Sequence, residues 1–293
     1  MIRTVRSLCL LCGLVSTAML SAQENAFTYS RQPSSNQELQ YSLRTDYYEN
    51  GSWKRQTVAR AVLTATEGDV PQESVRWTSL VQHTAADTIR YDTNAQRTAP
   101  YSFSLHPEGS LEAPRFDDPV MLSSLADLTT FLVAISPQAG SHKVQQAGGS
   151  YHNPEPARGD FSDAFNTPVG EDCMDITVHL VRMNRDTAVY RTTFLVPAKP
   201  CLELVGGIAP SPENPVNFQM AQGVGNGRMN LLYGQETFVV ESHVRRRDGA
   251  LLSATMDNVL DLRMKVFCDA QYANCQTELP WKISRKVVLS LVP

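Results

Sequence analysis

The sequence predicts a mainly β protein: antiparallel sheets with long hairpins, of the curved-sheet, sandwich or half-barrel type, plus one principal helix near residues 119–136. Three observations lead to this prediction. Several segments alternate apolar and polar side chains with the period of two that is typical of strands. Asn-Gly and Asp-Gly pairs, which favour hairpin turns, lie between such segments. One segment instead has its apolar residues at helical spacing.

The composition is that of a globular protein. The chain has 293 residues, of which 42% are hydrophobic and 19% are charged, and the formal net charge is -4. These values exclude a disordered or collagen-like chain. Because 30 acidic residues exceed 26 basic ones, a nucleic acid is not expected as a partner.

The first 22 residues are expected to form a cleaved signal peptide. Arg3 and Arg6 precede an uncharged apolar run, Leu8 to Leu20, which is too short to cross a bilayer as a helix. Cleavage is expected near Ala22. No second apolar run of about 18 residues follows. We therefore expect an exported protein, periplasmic or extracellular, that does not span the membrane.

The first strand alternates from Leu39 through Tyr41 and Leu43, with polar residues between them. Asn50-Gly51 then predicts a type I′ hairpin turn. The return strand and three further strands are expected at 53–66, 74–83, 87–92 and 100–106. The pattern indicates an antiparallel meander.

The helix is expected to begin with Asp118 as its cap and Pro119 in its first turn, and Ser136-Pro137 should end it. Its apolar stripe consists of Met121, Leu125, Leu128, Leu132 and Ile135. A core helix that packs on the sheet is the simpler interpretation. The sharper alternative is a helical lid over an apolar ligand cavity, with Leu125, Leu128 and Leu132 facing Leu39, Tyr41 and Leu43.

The second half repeats the arrangement of long strand, turn and long strand. Strands are expected at 175–183, 187–196, 236–246, 250–258, 259–268 and 281–292, with a proline-rich excursion after residue 196. We expect an N-terminal β-rich domain at 23–147, a linker or mobile loop at 148–172, and a C-terminal β-rich domain that contains disulfides at 173–293.

Four cysteines remain after the signal peptide is removed, and an even number suits an oxidising compartment. Local spacing favours the pairs Cys173 with Cys201 and Cys268 with Cys275. A zinc site is the competing interpretation, but no Cys-x2-Cys or typical cysteine–histidine spacing is present.

Motifs of catalysis are missing from the sequence. There is no Gly-x-Ser-x-Gly elbow and no His-Glu-x-x-His, and we assign no catalytic residue, metal ligand or cofactor. Arg245, Arg246 and Arg247 precede Asp248-Gly249 at the tip of an expected hairpin, where they could contact an anionic partner. The alternative is a charged tip that keeps the hairpin from pairing with other edges.

The first functional hypothesis is an exported, non-enzymatic binding protein of the cell envelope that holds a lipid or another apolar small molecule in a curved β-sheet. By architecture alone, the pattern is similar to exported β proteins that cup a lipid or lipoprotein acyl chain. The alternative is an envelope structural or protein-interaction module, with an envelope protein as its partner. A hydrolase whose acidic residues converge only in three dimensions is the third hypothesis.

Overall fold

The computed structural model describes residues 26–66, 69–111, 118–162, 167–209, 211 and 213–293. The expected signal peptide lies outside these residues. The strands are β1 Glu38–Glu49, β2 Ser52–Thr66, β3 Gln72–Thr84, β4 Thr88–Arg90, β5 Tyr101–Phe103, β6 Ser150–His152, β7 Ala157–Asp160, β8 Val169–Met183, β9 Thr187–Leu195, β10 Phe218–Gly225, β11 Arg228–Arg245, β12 Leu251–Cys268 and β13 Thr277–Val292. The helices are α1 Asp92–Arg97 and α2 Pro119–Ala134, and a 3₁₀ turn spans Ser141–Lys143.

All these strands join one antiparallel sheet, which confirms the predicted fold class. Its order is β10-β8-β9-β11-β12-β13-β1-β2-β3-β4, with β5 also on β3 and with β6 and β7 on the outer side of β8. The strands at both edges are only three or four residues long. Short edge strands offer little backbone for pairing with another chain.

Hairpin turns occur where the sequence predicts them. Asn50 and Gly51 both have positive φ angles, 47° and 79°, as a type I′ turn requires. The turn between β11 and β12 is longer than a two-residue turn. Gly249, at φ 68°, donates its backbone N–H to the carbonyl of Arg245, and the Asp248 carboxylate is bonded to the Arg245 guanidinium.

The two parts of the chain meet in the middle of the sheet, where β1 pairs with β13 from Gln40↔Val292 to Glu49↔Ile283. The segment expected as a linker contains β6, β7 and the start of β8. The division of the chain into two domains at 148–172 stays a prediction, which the folding behaviour of the two parts would test.

One face of the sheet, here called the inner face, packs against α2. The helix begins as expected: the Asp118 carboxylate accepts a hydrogen bond from the backbone N–H of Val120 at 2.9 Å. The predicted apolar stripe is buried against core residues from β1, β2, β3, β8, β9, β11, β12 and β13.

The sheet curves, because a short N-terminal segment contacts strands that are far apart in the sheet order. The Tyr29 ring lies 6.1 Å from that of Tyr190 on β9, while the Arg31 guanidinium pairs with Glu73 on β3 at 2.5 Å. In a flat sheet β3 and β9 would lie roughly 29 Å apart, six strand spacings. The backbone between Tyr29 and Arg31 spans only about 7 Å, and one core around α2 contains residues of both β3 and β9. Residues 26–32, here called the strap, therefore connect β9 and β3 across the concave side of a curved sheet.

Candidate functional site

The structure brings the six residues of the predicted apolar ligand face together. Their exposed fractions range from 1% to 7%, and they belong to one core between α2 and the sheet; they are Leu39, Tyr41, Leu43, Leu125, Leu128 and Leu132. The Tyr41 hydroxyl is also used there, since it donates to the backbone carbonyl of Leu251 at 2.8 Å. That these residues line a ligand cavity stays a prediction.

The inner face continues beyond the region that α2 covers. On β12, Ala254 and Met256 belong to the core around the helix, and Leu260 and Leu262 lie further along the same face. The pairing of β12 with β13 has no register shift, so alternate residues keep to one face throughout. The two apolar regions thus share one side of the sheet.

The second region is here called the lower apolar surface. Its members are Phe218, Met220, Leu232, Leu260, Leu262, Met264, Trp281, Ile283 and Phe161. None of them lies on α2, and only Phe161 lies outside the strands. Met220, Met264, Trp281 and Ile283 are partly exposed. Leu279, two residues before Trp281 on β13, is 43% exposed and extends this face by alternation.

A glycine lets Phe161 lie on this surface. A Cβ atom on Gly170 would come within 2.5 Å of the Phe161 ring, so a larger residue on β8 would displace it. The ring stacks on Phe218, with the two centroids 6.0 Å apart and the planes at 28°. Phe161 thereby adds an aromatic edge to the strands of the lower apolar surface.

A polar belt separates the two apolar regions; its residues are Thr45, Asp127, Asn258, Glu236, Arg285 and Asp172. Asp127 of α2 accepts a hydrogen bond from the Thr45 hydroxyl at 2.6 Å and one from the Arg285 guanidinium at 2.9 Å. Arg285 also donates to the side-chain oxygen of Asn258 at 2.7 Å, and Asn258 donates to Glu236 at 2.8 Å. Inside a protein such charge-assisted bonds fix the positions of their groups.

The acids of the belt are hard to ionise. Burial raises the pKa of Asp127 and that of Glu236, while the nearby Arg285 charge opposes both shifts. Burial and the Glu236 charge raise the pKa of Asp172 to about 7, and a hydrogen bond from the backbone N–H of Gly159 opposes the shift. Among the described residues, Arg285 is the cation in contact with Asp127, at 2.9 Å, and with Glu236, at 3.8 Å.

The belt borders the lower apolar surface directly. Glu236 is the cross-strand partner of Leu260, and Asp172 is the partner of Phe218. Ile283 lies two residues before Arg285, on the same face of β13. The site therefore combines partly exposed apolar side chains with carboxylates along one margin.

Each of the three predicted arginines has a contact within the chain. Arg245 is bonded to Asp248, while Arg246 donates to the backbone carbonyls of Asn184 and Ala26. The Arg247 side chain is 75% exposed and lies 3.8 Å from Asp248. Contact of the three with an anionic partner stays a prediction.

Two disulfides are present, Cys173–Cys201 and Cys268–Cys275, the pairs that local spacing favours. The first ties the excursion between β9 and β10 to β8. That excursion packs Leu204, Val205 and Ile208 on a second, outer-face cluster. Within the described residues, no group of three His, Cys, Asp or Glu side chains is placed to hold a metal ion.

Sequence reasoning did not single out the lower apolar surface or the belt. The alternation of Leu260, Leu262 and Met264 was readable as a strand face, but its partners on β10 and β13 depend on pairing. Asp127 lay inside the predicted helix. The one available sequence signal was its position next to Leu128, a residue of the apolar stripe.

Comparisons with known proteins do not indicate a function for this chain. No family model matches the chain, and no curated protein matches it. A solved structure described as "Lipid-protein interactions in lipovitellin" is similar over 89% of this chain, with 8% sequence identity and a TM-score of 0.42. The chain spans 25% of that protein's length. A TM-score of this size is too low to support a shared fold or function.

Proposed function

We propose that this protein is an exported, non-enzymatic cell-envelope protein that binds a lipid or another apolar small molecule on the lower apolar surface. The observation that carries the proposal is a set of partly exposed apolar side chains on the inner face of a curved sheet, outside the contact with α2. Apolar ligand sites are typically concave surfaces of this kind, with a few polar groups at one side.

Binding beneath α2 is the less economical location. The six residues predicted from the sequence are packed there, so a ligand would have to displace the helix. The lower apolar surface needs no such movement. Two disulfides agree with export, and no helix of the described residues is long and apolar enough to cross a membrane.

Native mass spectrometry of protein purified from the cells that make it tests this proposal. We expect a stoichiometric adduct of lipid size that is released on denaturation and recovered by solvent extraction. Ile283→Asp should lose the adduct because it places a carboxylate on the apolar surface. Val259→Asp is the matched control, since Val259 is 37% exposed on the opposite face of neighbouring β12.

Both variants are first compared with wild type by urea unfolding, so that loss of the fold is separated from loss of the ligand. An adduct that survives in Ile283→Asp, or a wild-type protein without any adduct, would contradict the proposal. The alternative of an envelope structural or protein-interaction module would then lead.

A hydrolase with acidic residues is the third hypothesis, and the buried carboxyl groups of the polar belt favour it. Asp172, with a pKa of about 7, lies within the electrostatic influence of Glu236, and an acid with such a pKa suits proton transfer near neutral pH. Turnover of ester or glycoside substrates, lost in both Asp172→Asn and Glu236→Gln, would support this function. Retention of turnover in either variant would oppose it.

A further inference from the structure

We infer that the ligand of the lower apolar surface carries a cationic head group, a protonated amine on an alkyl chain, and not a carboxylate or phosphate. This inference rests on the proposed function, because it names the chemistry of the ligand for that same surface.

Two acids of the belt lie next to the lower apolar surface. Glu236 and Asp172 are cross-strand partners of two members of the surface, Leu260 and Phe218. An alkyl chain that lies across these members brings its head group to the polar belt. The opposite end of the same strand face, at Leu279, is apolar and exposed.

The one guanidinium in the belt, that of Arg285, is already hydrogen-bonded within the protein. Arg285 donates to Asp127 at 2.9 Å and to Asn258 at 2.7 Å, and lies 3.8 Å from Glu236. An anionic head group would compete with Asp127 and Glu236 for this cation. It would also approach the carboxyl group of Asp172, whose ionised form would repel it strongly in a region of low dielectric.

The acids of the belt outnumber its cation. Of the three acids in the belt, Asp127 is bonded to the one guanidinium, Glu236 lies 3.8 Å from it, and Asp172 accepts a hydrogen bond from the backbone N–H of Gly159. The margin next to the surface therefore has more carboxyl groups than cations. An ammonium group supplies both the missing positive charge and three hydrogen-bond donors, which carboxylate oxygens accept.

Another inner-face cation, Arg55, does not change this balance at the belt. The guanidinium of Arg55, on β2, lies 4.2 Å from the ring centroid of Tyr47, on β1. The surface thus has apolar side chains for a chain and carboxylates for a cation.

Calorimetric titration with three ligands of equal chain length tests the inference: dodecylamine, dodecanol and dodecanoate, each below its micelle concentration at pH 7.5 and 0.15 M salt. We expect dodecylamine to bind about tenfold more tightly than dodecanoate, the effect of about one charge-assisted hydrogen bond. Dodecanol should lie between them.

Variants locate the effect. Asp172→Asn and Glu236→Gln should each bring the amine-to-carboxylate ratio several-fold closer to one, while Asp257→Asn, on the exposed outer face of β12, should leave it unchanged. Should Glu236→Gln fail to fold, Asp172→Asn still tests the head-group assignment, because Asp172 is partly exposed to solvent.

The outcomes separate the two proposals. Dodecanoate binding as tightly as dodecylamine, or a ratio that neither variant changes, would overturn the head-group assignment and leave the apolar site intact. Failure of all three ligands to bind would instead count against the proposed function itself.

Discussion

Asp172 shows how a single residue can link stability to pH. Its side chain lies on the inner face of β8 beside Phe218, away from any bonded cation among the described residues. Burial and the Glu236 charge favour the protonated form. A carboxyl group of this kind makes the folded state bind a proton that the unfolded chain has already released.

The stability of the protein should therefore fall as pH rises from about 4 to 7. Over this range the folded state holds the Asp172 proton, with a pKa of about 7, while the unfolded chain has the usual aspartate pKa of about 4. Asp172→Asn should flatten this dependence, since the amide does not ionise. Urea unfolding of both proteins at several pH values measures the effect. An equal slope in wild type and variant would contradict it.

A second residue-scale prediction concerns Asp127. Asp127→Ala removes the carboxylate that accepts from Thr45 and Arg285, and leaves the guanidinium with Asn258 and Glu236 alone. We expect a loss of about 2–3 kcal/mol in the free energy of unfolding, the value of hydrogen bonds to a charged group. Denaturant titration measures it, with Asp257→Ala as the exposed control. A loss no larger than that of the control would show that the belt does not stabilise α2 on the sheet.

At the scale of elements, the junction between β9 and β10 interrupts the ladder of the sheet. The two strands follow one another between β8 and β11, and Asn217 fills the gap where neither provides ladder bonds. Its side chain donates to the carbonyls of Cys173 and Glu236 and accepts from the backbone N–H of Glu236. Buried backbone groups are thus satisfied across the break.

Asn217→Ala should cost about 3 kcal/mol or more of folding free energy, because it leaves one buried N–H and two carbonyls without these partners. Hydrogen exchange should also rise at the Glu236 amide. Asn214→Ala, at an exposed position in the same excursion, serves as the control. Unchanged protection of the Glu236 amide would argue against this role.

The elements also show what the sequence could predict. Alternation identified β1 to β3, β9, β13 and the C-terminal parts of β8 and β11, because these strands have one apolar face and one polar face. The strands expected at 250–258 and 259–268 are one continuous strand, β12. The helix followed from its cap, its stripe and its proline. By contrast, β6, β7 and β10 were missed, since their sequences are short, rich in glycine or polar, and gain their pairing only from β8 and β11. The lower apolar surface depends on that pairing, so no local pattern could define it.

At the scale of the whole molecule, the strap joins parts of the sheet that pairing does not. Arg31 donates to both oxygens of Glu73 on β3 and to the carbonyl of Asp248 in the β11–β12 turn. Both charged side chains are at least 95% buried. Gly249 permits the contact, since a Cβ there would lie 2.3 Å from the Ser30 carbonyl.

Arg31→Met should destabilise the protein by about 3–5 kcal/mol, because it leaves the Glu73 carboxylate buried without its cation. The double variant with Glu73→Leu should lose less than Arg31→Met alone, since no unpaired charge remains. Urea unfolding of the wild type, both single variants and the double variant gives the comparison. Additive losses would contradict a direct role of this pair in holding the curved sheet.

The central claim, an apolar ligand on the lower apolar surface, is tested most directly by the fluorescence of Trp281. A dodecyl chain brominated near its end quenches a tryptophan only on contact. We predict saturable quenching in the wild-type protein, its loss in Trp281→Phe, weaker binding in Leu279→Asp and no change in Val259→Asp. Quenching that persists unchanged in Trp281→Phe would place the chain elsewhere and contradict the account.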